Sequence, residues 1–200
     1  MNMSFTGGDD PKAVRQNYNI LFESLGLDPE RAVLSHQTHT KNIKTVTADD
    51  IGKGIVKDRD YDNIDGLITN IKGVALVTQY ADCVPLVFYD KAKRVVATSH
   101  AGWRGTVQEI GKETVLKMAA EFGSNQSDIM VGIGPSIGSC CYEVDDPVYN
   151  EFKKLSYLNL DEIFITKKEQ SESGIIGIAT AKTTVTTNEL YRTYVVKPCS

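Results

Sequence analysis

The sequence predicts an α+β fold, a mixed and mainly antiparallel sheet covered by helices in a single domain, and three observations carry that prediction. Between Gly66 and Thr98 four short runs rich in Val and Ile follow one another, parted by the turn stretches 70–73 and 90–93. Segments with apolar residues at helical spacing flank them on both sides. The connection Asp90-Lys91-Ala92-Lys93 is too short for a parallel crossover, which needs about a dozen residues, so it predicts an antiparallel hairpin.

Taken in order, Asp10-Pro11 supplies a capping carboxylate and a proline at the first helical position, and Val14, Tyr18, Leu21, Phe22 and Leu25 then recur as a helix should until Gly26 ends it. Ala32 to Leu34 is a short apolar run leading to His36 and His39, and Ile43 to Val46 predicts a strand leaving them. On an extended backbone residues three apart point to opposite faces, so only one of the two histidines serves a given pocket. Residues 48–63 are rich in Asp, Lys and Gly without periodicity and read as a surface loop that contributes no core. The strand series follows. Thr106 with Glu109 three residues on reads as a capping box, opening a helix whose stripe is Val107, Ile110, Gly111, Thr114, Val115, Met118 and Phe122. Asp128 to Ile133 reads as a strand, 134–139 as a glycine-rich turn, and Asp146-Pro147 as the start of a helix burying Val148, Phe152 and Leu155. Past Thr166 neither period is kept, and 167–200 reads as a divergent tail with one edge strand near Tyr194 to Val196.

With 41% hydrophobic and 24% charged residues in 200, the composition is that of a soluble globular protein with a real core. A net charge of -4 with scattered lysines argues against a nucleic-acid partner. No stretch approaches the roughly 20 apolar residues of a membrane span, and Met1 to Phe5 lacks a leader pattern, so the expected location is the cytoplasm. The four cysteines, two of them adjacent at Cys140 and Cys141, do not form the spacing of a disulfide framework; reduced thiols or metal ligands fit better.

The chemistry concentrates between Ala81 and Thr106. Ala81-Asp82-Cys83-Val84-Pro85-Leu86 places a thiol before one strand, and Ser99-His100-Ala101-Gly102-Trp103-Arg104-Gly105-Thr106 places an imidazole after the next. A catalytic zinc takes three protein ligands and leaves its fourth position open, and His39, Cys83 and His100 could supply those three. The spacing alone also fits an inert core cysteine. Arg104, Gly105 and Thr106 stand before the predicted helix, where free amides, a positive dipole end and a guanidinium fork suit phosphate. Asp82 is the carboxylate nearest in sequence to the thiol, either a proton shuttle or a group orienting a histidine ligand. Vicinal Cys140 and Cys141 point apart on extended backbone and stay outside the metal set.

Four pieces together are recognisable: Gln37-Thr38-His39, Ala81-Asp82-Cys83-Val84-Pro85-Leu86, His100-Ala101-Gly102-Trp103-Arg104-Gly105, and Gly134-Pro135-Ser136-Ile137 followed by Cys141-Tyr142-Glu143-Val144. They resemble the signature of the YfiH/laccase-domain family. Its members have been called multicopper polyphenol oxidases and are now understood as purine nucleoside phosphorylases with adenosine deaminase and methylthioadenosine phosphorylase activity. The resemblance covers about residues 2–165 and implies a YfiH-like fold. It also implies a zinc on His39, Cys83 and His100, purine nucleosides and phosphate as substrates, and Gln37 among the binding residues. A laccase-type copper cluster needs many imidazoles, and this chain has three histidines. Single copper on the same three ligands is less suited than zinc, because no methionine stands in the motifs as a weak axial ligand.

Two departures bear on activity. The glycine-rich segment with an arginine that members carry before the Asn2-to-Pro11 region is absent, and 167–200 does not resemble the family's ending. Domain organisation is therefore expected to be 1–166 for the laccase-type domain and 167–200 for a tail. Lys182 to Leu190 can be encoded so that a shifted frame gives a leucine- and glutamine-rich helix, which makes a truncated or frame-shifted ending one reading of it. Besides the zinc enzyme, the alternatives are a zinc-binding fragment without catalysis and a single-copper polyphenol oxidoreductase.

Overall fold

The computed structural model describes residues 1–139 and 141–164 and, beyond them, the backbone of 165–167 and of the short strands Ile176–Ala179, Thr186–Thr187 and Leu190–Tyr191. Cys140, the edge strand expected near Tyr194 and most of Lys182 to Leu190 lie outside the described residues. The chain forms two compact units, Met1–Gly134 and Pro135–Ser200.

Helix α1 (Pro11–Ser24) starts as its sequence demands, the Asp10 carboxylate accepting the Lys12 N–H at 2.9 Å. Its buried stripe is narrower than expected. Val14, Tyr18 and Phe22 pack with Ala32, Leu34 and Ile55, while Leu21 and Leu25 face solvent. Strand β1 (Ala32–Leu34) pairs in parallel with β4 (Ala75–Val77) as a separate two-stranded sheet. The principal sheet has five strands: β2 (Ile43–Thr45), β3 (Gly66–Thr69), β5 (Val84–Asp90), β6 (Val95–Ala101) and β7 (Ile129–Ile133). Their order is β2-β3-β6-β5-β7, antiparallel except for the β2–β3 pair. The β5–β6 hairpin forms across the short 91–94 turn as predicted, Asp90 opposite Val95.

The sequence misplaces the next helix. Helix α2 (Trp103–Val107) begins four residues early, with Gly102 as its N-cap, and Glu109 at φ +58° separates it from α3 (Ile110–Phe122). The Thr106 N–H is spent inside α2 on the Gly102 carbonyl at 2.8 Å, so no capping box forms there. The misreading is local, since a glycine N-cap offers no side-chain signal. The α3 stripe itself is as expected, with Ile110, Gly111, Thr114, Val115 and Met118 buried. Ser99 Oγ and Thr114 Oγ1 share a buried 2.7 Å hydrogen bond that ties α3 to β6.

Residues 48–63 also depart from expectation, for they carry core. Ile55 belongs to the α1 cluster, and Asp50 is buried with Lys44 and Lys53 on its carboxylate. Gly54, at φ +87°, permits this: a β-carbon there would stand 2.8 Å from Leu34 Cβ. Tyr61 and Arg59 anchor the segment further, donating to the Leu34 and Ser35 carbonyls at 2.7 Å each.

In the second unit β8 (Glu143–Val144), helix α4 (Asp146–Lys153), helix α5 (Leu160–Ile163), β9 (Phe164–Lys167) and β10 (Ile176–Ala179) follow one another. The three strands form an antiparallel sheet in the order β8-β10-β9. Val148 and Phe152 of α4 are buried, Phe152 edge-on to Phe164 at 5.5 Å. Among the described residues no helix is long and apolar enough to cross a membrane.

Candidate metal centre

Strand β6 delivers His100 at its C-terminal end, 4% exposed. Opposite it, the residue before β3 is Asp65, fully buried. The His100 N–H donates to the Asp65 carbonyl at 2.7 Å, and its Nδ1 lies 2.8 Å from Asp65 Oδ1. With Nδ1–H on a carboxylate, Nε2 is the ring nitrogen left for a ligand.

His39 reaches the same place from a turn. Its φ of +63° is left-handed, so the extended backbone assumed for His36 and His39 does not exist. The turn wraps the Asp65 carboxylate: the N–H groups of Thr38, His39 and Thr40 donate to it at 3.1, 3.0 and 2.8 Å, and the Thr40 hydroxyl at 2.8 Å. His36 diverges and sets its Nδ1 3.0 Å from an Asp62 oxygen.

Cys83, from the turn before β5, completes the set. Its Sγ is 3.9 Å from His39 Nε2, and the donor atoms of His39, Cys83 and His100 all lie within 4.8 Å of one another. The two imidazole rings meet edge-on at 4.8 Å, and Tyr80 lies 5.7 Å from His100. Gly102 closes against them, for a β-carbon on it would fill the space beside His39 and Cys83. Two imidazoles and a thiol gathered this way fit a tetrahedral ion with one open position.

Asp65 is the centre of the local electrostatics. Burial alone would raise the Asp65 carboxyl, but bonds from His100, Thr40 and Thr38 outweigh it and hold it down at about 2. Burial likewise disfavours charge on His100, yet Asp65 and Cys83 lift it to about 9. His39 is lowered, by burial first and then by His100, with Arg104 adding to the effect.

The other sequence-predicted residues fare unevenly. Asp82 is exposed beside Cys83, and the carboxylate that orients a histidine is Asp65 instead. Asp65 escaped the sequence reading; its one signal is a carboxylate directly ahead of the β3 run. The Gln37 amide donates to the Gln79 carbonyl at 2.7 Å and accepts from the Gln79 N–H and the Ser35 hydroxyl. Arg104 is exposed with its guanidinium 4.2 Å over the Trp103 ring. Gly105 is buried, and a β-carbon built on it would stand 3.2 Å from the His100 and Thr40 carbonyl oxygens. Thr106, inside α2, cannot offer the free amide expected of it. Cys141 and Glu143 are exposed in the second unit.

The family model for multi-copper polyphenol oxidoreductase laccase matches residues 1–187. The chain is 42% identical over 151 residues to the purine nucleoside phosphorylase YlmD of Bacillus subtilis (strain 168), covering 74% of this chain and 53% of that one. It is 36% identical over 162 residues to the adenosine deaminase RL5 of an unknown prokaryotic organism, covering 79% and 60%. The crystal structure of the hypothetical protein YfiH of Bacillus licheniformis superposes with a TM-score of 0.82 at 35% identity, over 89% of this chain and 66% of that one. The chain thus spans about half to two thirds of the length of these relatives.

Proposed function

From the premise that the chain belongs to the family of the multi-copper polyphenol oxidoreductase laccase model, we propose that it is a zinc-dependent purine nucleoside phosphorylase that also deaminates adenosine. The convergence of His39, Cys83 and His100 carries this reading. The relatives' names support the two reactions. A multicopper cluster lacks its ligands in this chain, because only three histidines are present and His36 faces Asp62.

When bound, the zinc supplies Lewis acidity at its open position. The rest falls to the protein's own groups. In phosphorolysis Arg104 holds hydrogen phosphate through its guanidinium fork while a phosphate oxygen bonds to ribose C1′, the C1′–N9 bond breaks and the phosphate proton passes to the departing purine, giving free base and the ribose 1-phosphate. Adenosine, inosine, guanosine and methylthioadenosine all present that bond. In deamination water adds at C6 of adenine and ammonia leaves. Asp82, exposed beside Cys83, moves the proton from the water to the departing nitrogen. Asp65 keeps Nδ1 of His100 protonated in both reactions.

Turnover of adenosine and inosine by zinc-quantified protein, with and without phosphate and with products separated, tests the proposal. Base release that requires phosphate, together with phosphate-independent inosine formation from adenosine, is the expected result. Full zinc with neither product would reduce the chain to a zinc-binding module.

A further inference from the structure

We propose that Asp65 is a positioning residue that joins His39 and His100 into one unit, so that the affinity of the centre for its ion depends on a carboxylate outside the ligand set. The inference rests on the zinc reading of His39, Cys83 and His100.

The two oxygens of Asp65 divide the work. Oδ1 accepts both the His39 backbone N–H at 3.0 Å and the His100 ring Nδ1 at 2.8 Å, so a single atom links the main chain of one ligand residue to the imidazole of the other. Oδ2 accepts the Thr38 and Thr40 N–H groups and the Thr40 hydroxyl, which holds the turn that carries His39. Both oxygens face donors only, and the side chain is fully buried. An amide could not take its place, because either orientation would turn an NH2 toward at least two of those donors.

A carboxylate in this setting is fully satisfied: five donors offset the several kcal/mol that burying an ionised group otherwise costs. What a carboxylate adds here is a fixed ring nitrogen: it holds a proton on Nδ1, so that an ion meets His100 through Nε2. It also sets the unusual left-handed backbone of His39, which turns that ring toward Cys83. Residues 39 and 100 come from distant parts of the chain, and Asp65 reaches both from the start of β3.

The test compares full-length wild type, Asp65→Asn and Thr40→Val. Each is assayed for zinc affinity against a chromophoric chelator, for the visible spectrum of its cobalt(II) form, and for the thermal midpoint of the metal-free protein. Asp65→Asn is expected to lose about 10- to 100-fold in zinc affinity and to shift the cobalt bands. Thr40→Val, which removes one Oδ2 bond together with the hydroxyl's bonds to Asn63 and Asn42 and leaves Oδ1 untouched, is expected to lower the midpoint and to lose distinctly less zinc affinity than Asp65→Asn. Wild-type affinity and spectrum in Asp65→Asn would overturn the inference, as would an equal loss in Thr40→Val, since any loosening of the turn would then suffice. Should Asp65→Asn fail to fold, nitrogen NMR of histidine-labelled, zinc-loaded wild type decides. His100 bound through Nε2 with Nδ1 protonated supports the role, and His100 bound through Nδ1 refutes it. A wild type that binds no zinc removes the proposed function and this inference together, whereas zinc-binding wild type with an indifferent Asp65→Asn removes this inference alone.

Discussion

A β-carbon built on Gly102 stands 2.7 Å from Cδ2 of His39, and 3.1 Å from Sγ of Cys83. The residue that lets the chain pass from β6 into α2 is therefore packed directly against two of the three donors. Its φ of −69° is open to any amino acid, so contact and not backbone conformation selects glycine. Gly102→Ala is expected to leave the fold intact and to displace the His39 ring. Overpacking of this kind costs about 1–3 kcal/mol, which, if borne by the bound state, corresponds to a roughly 5- to 150-fold weaker hold on zinc. Zinc titration of the variant checks it; an unchanged affinity would mean that the ring moves without cost.

Cys83 supplies the one sulfur of the set. Cys83→Ala should bring bound zinc well below one equivalent in purified protein and remove both phosphorolysis and deamination, with the fold retained. Metal analysis alongside turnover makes the check, and full zinc with full turnover would place the centre elsewhere.

The segment 48–63 makes a different test, of packing. Ile55 is 4% exposed among the α1 side chains. Ile55→Ala should destabilise the protein by about 2–4 kcal/mol, the ordinary cost of a truncated core residue, whereas a surface-loop position would change stability by less than about 0.5 kcal/mol. Urea unfolding followed by fluorescence of Trp103, the single tryptophan, measures the difference.

Much of this molecule was legible because its signals are local. Asp10-Pro11 marks α1, a four-residue link marks the β5–β6 hairpin, and the thiol and imidazole of Cys83 and His100 stand at strand ends where polar residues are conspicuous. The illegible parts depend on distant partners. Asp65 looks like a turn residue until the amides of residues 38–40 and the ring of His100 are brought to it. Ile55 sits in a polar stretch and acquires its meaning only from α1. Gln37 carries a motif's chemistry but spends its amide on Gln79. The early start of α2 was hidden by its glycine cap, while Thr106 and Glu109 offered a capping pattern that the backbone does not use.

Asp50 should govern part of the acid limb of stability. Burial pushes its carboxyl up, but hydrogen bonds from Thr47, Lys53 and Lys44 together outweigh burial and bring it from 3.8 to about 2. A carboxyl depressed in the folded state contributes stability that is present above its unfolded value and lost as pH falls from about 4 toward 2. Asp50→Asn is expected to cost about 2 kcal/mol at neutral pH and to make the limb between about pH 4 and 2 shallower. Urea midpoints across that range check it; an acid limb as steep as wild type would assign the loss to other carboxylates.

Arg104 separates the two proposed reactions. Its guanidinium lies 4.2 Å over the Trp103 ring, exposed at the start of α2 and near enough to His39 to depress that imidazole. Stacking on the indole limits the freedom of the fork before phosphate arrives, so less order has to be gained on binding. Phosphorolysis needs phosphate, and deamination needs only water. Arg104→Gln should therefore lower kcat/KM for phosphate by about 10- to 100-fold, the loss of a charge-assisted contact of about 1.5–3 kcal/mol, chiefly through KM. Adenosine deamination and zinc content should stay near wild type. Arg104→Lys, keeping the charge and losing the planar fork, should recover only part of the phosphate dependence. Inosine phosphorolysis over a phosphate series, set beside phosphate-free deamination, gives both numbers. Equal losses in the two reactions would put Arg104 on the nucleoside, and unchanged phosphorolysis would send the phosphate to another part of the protein.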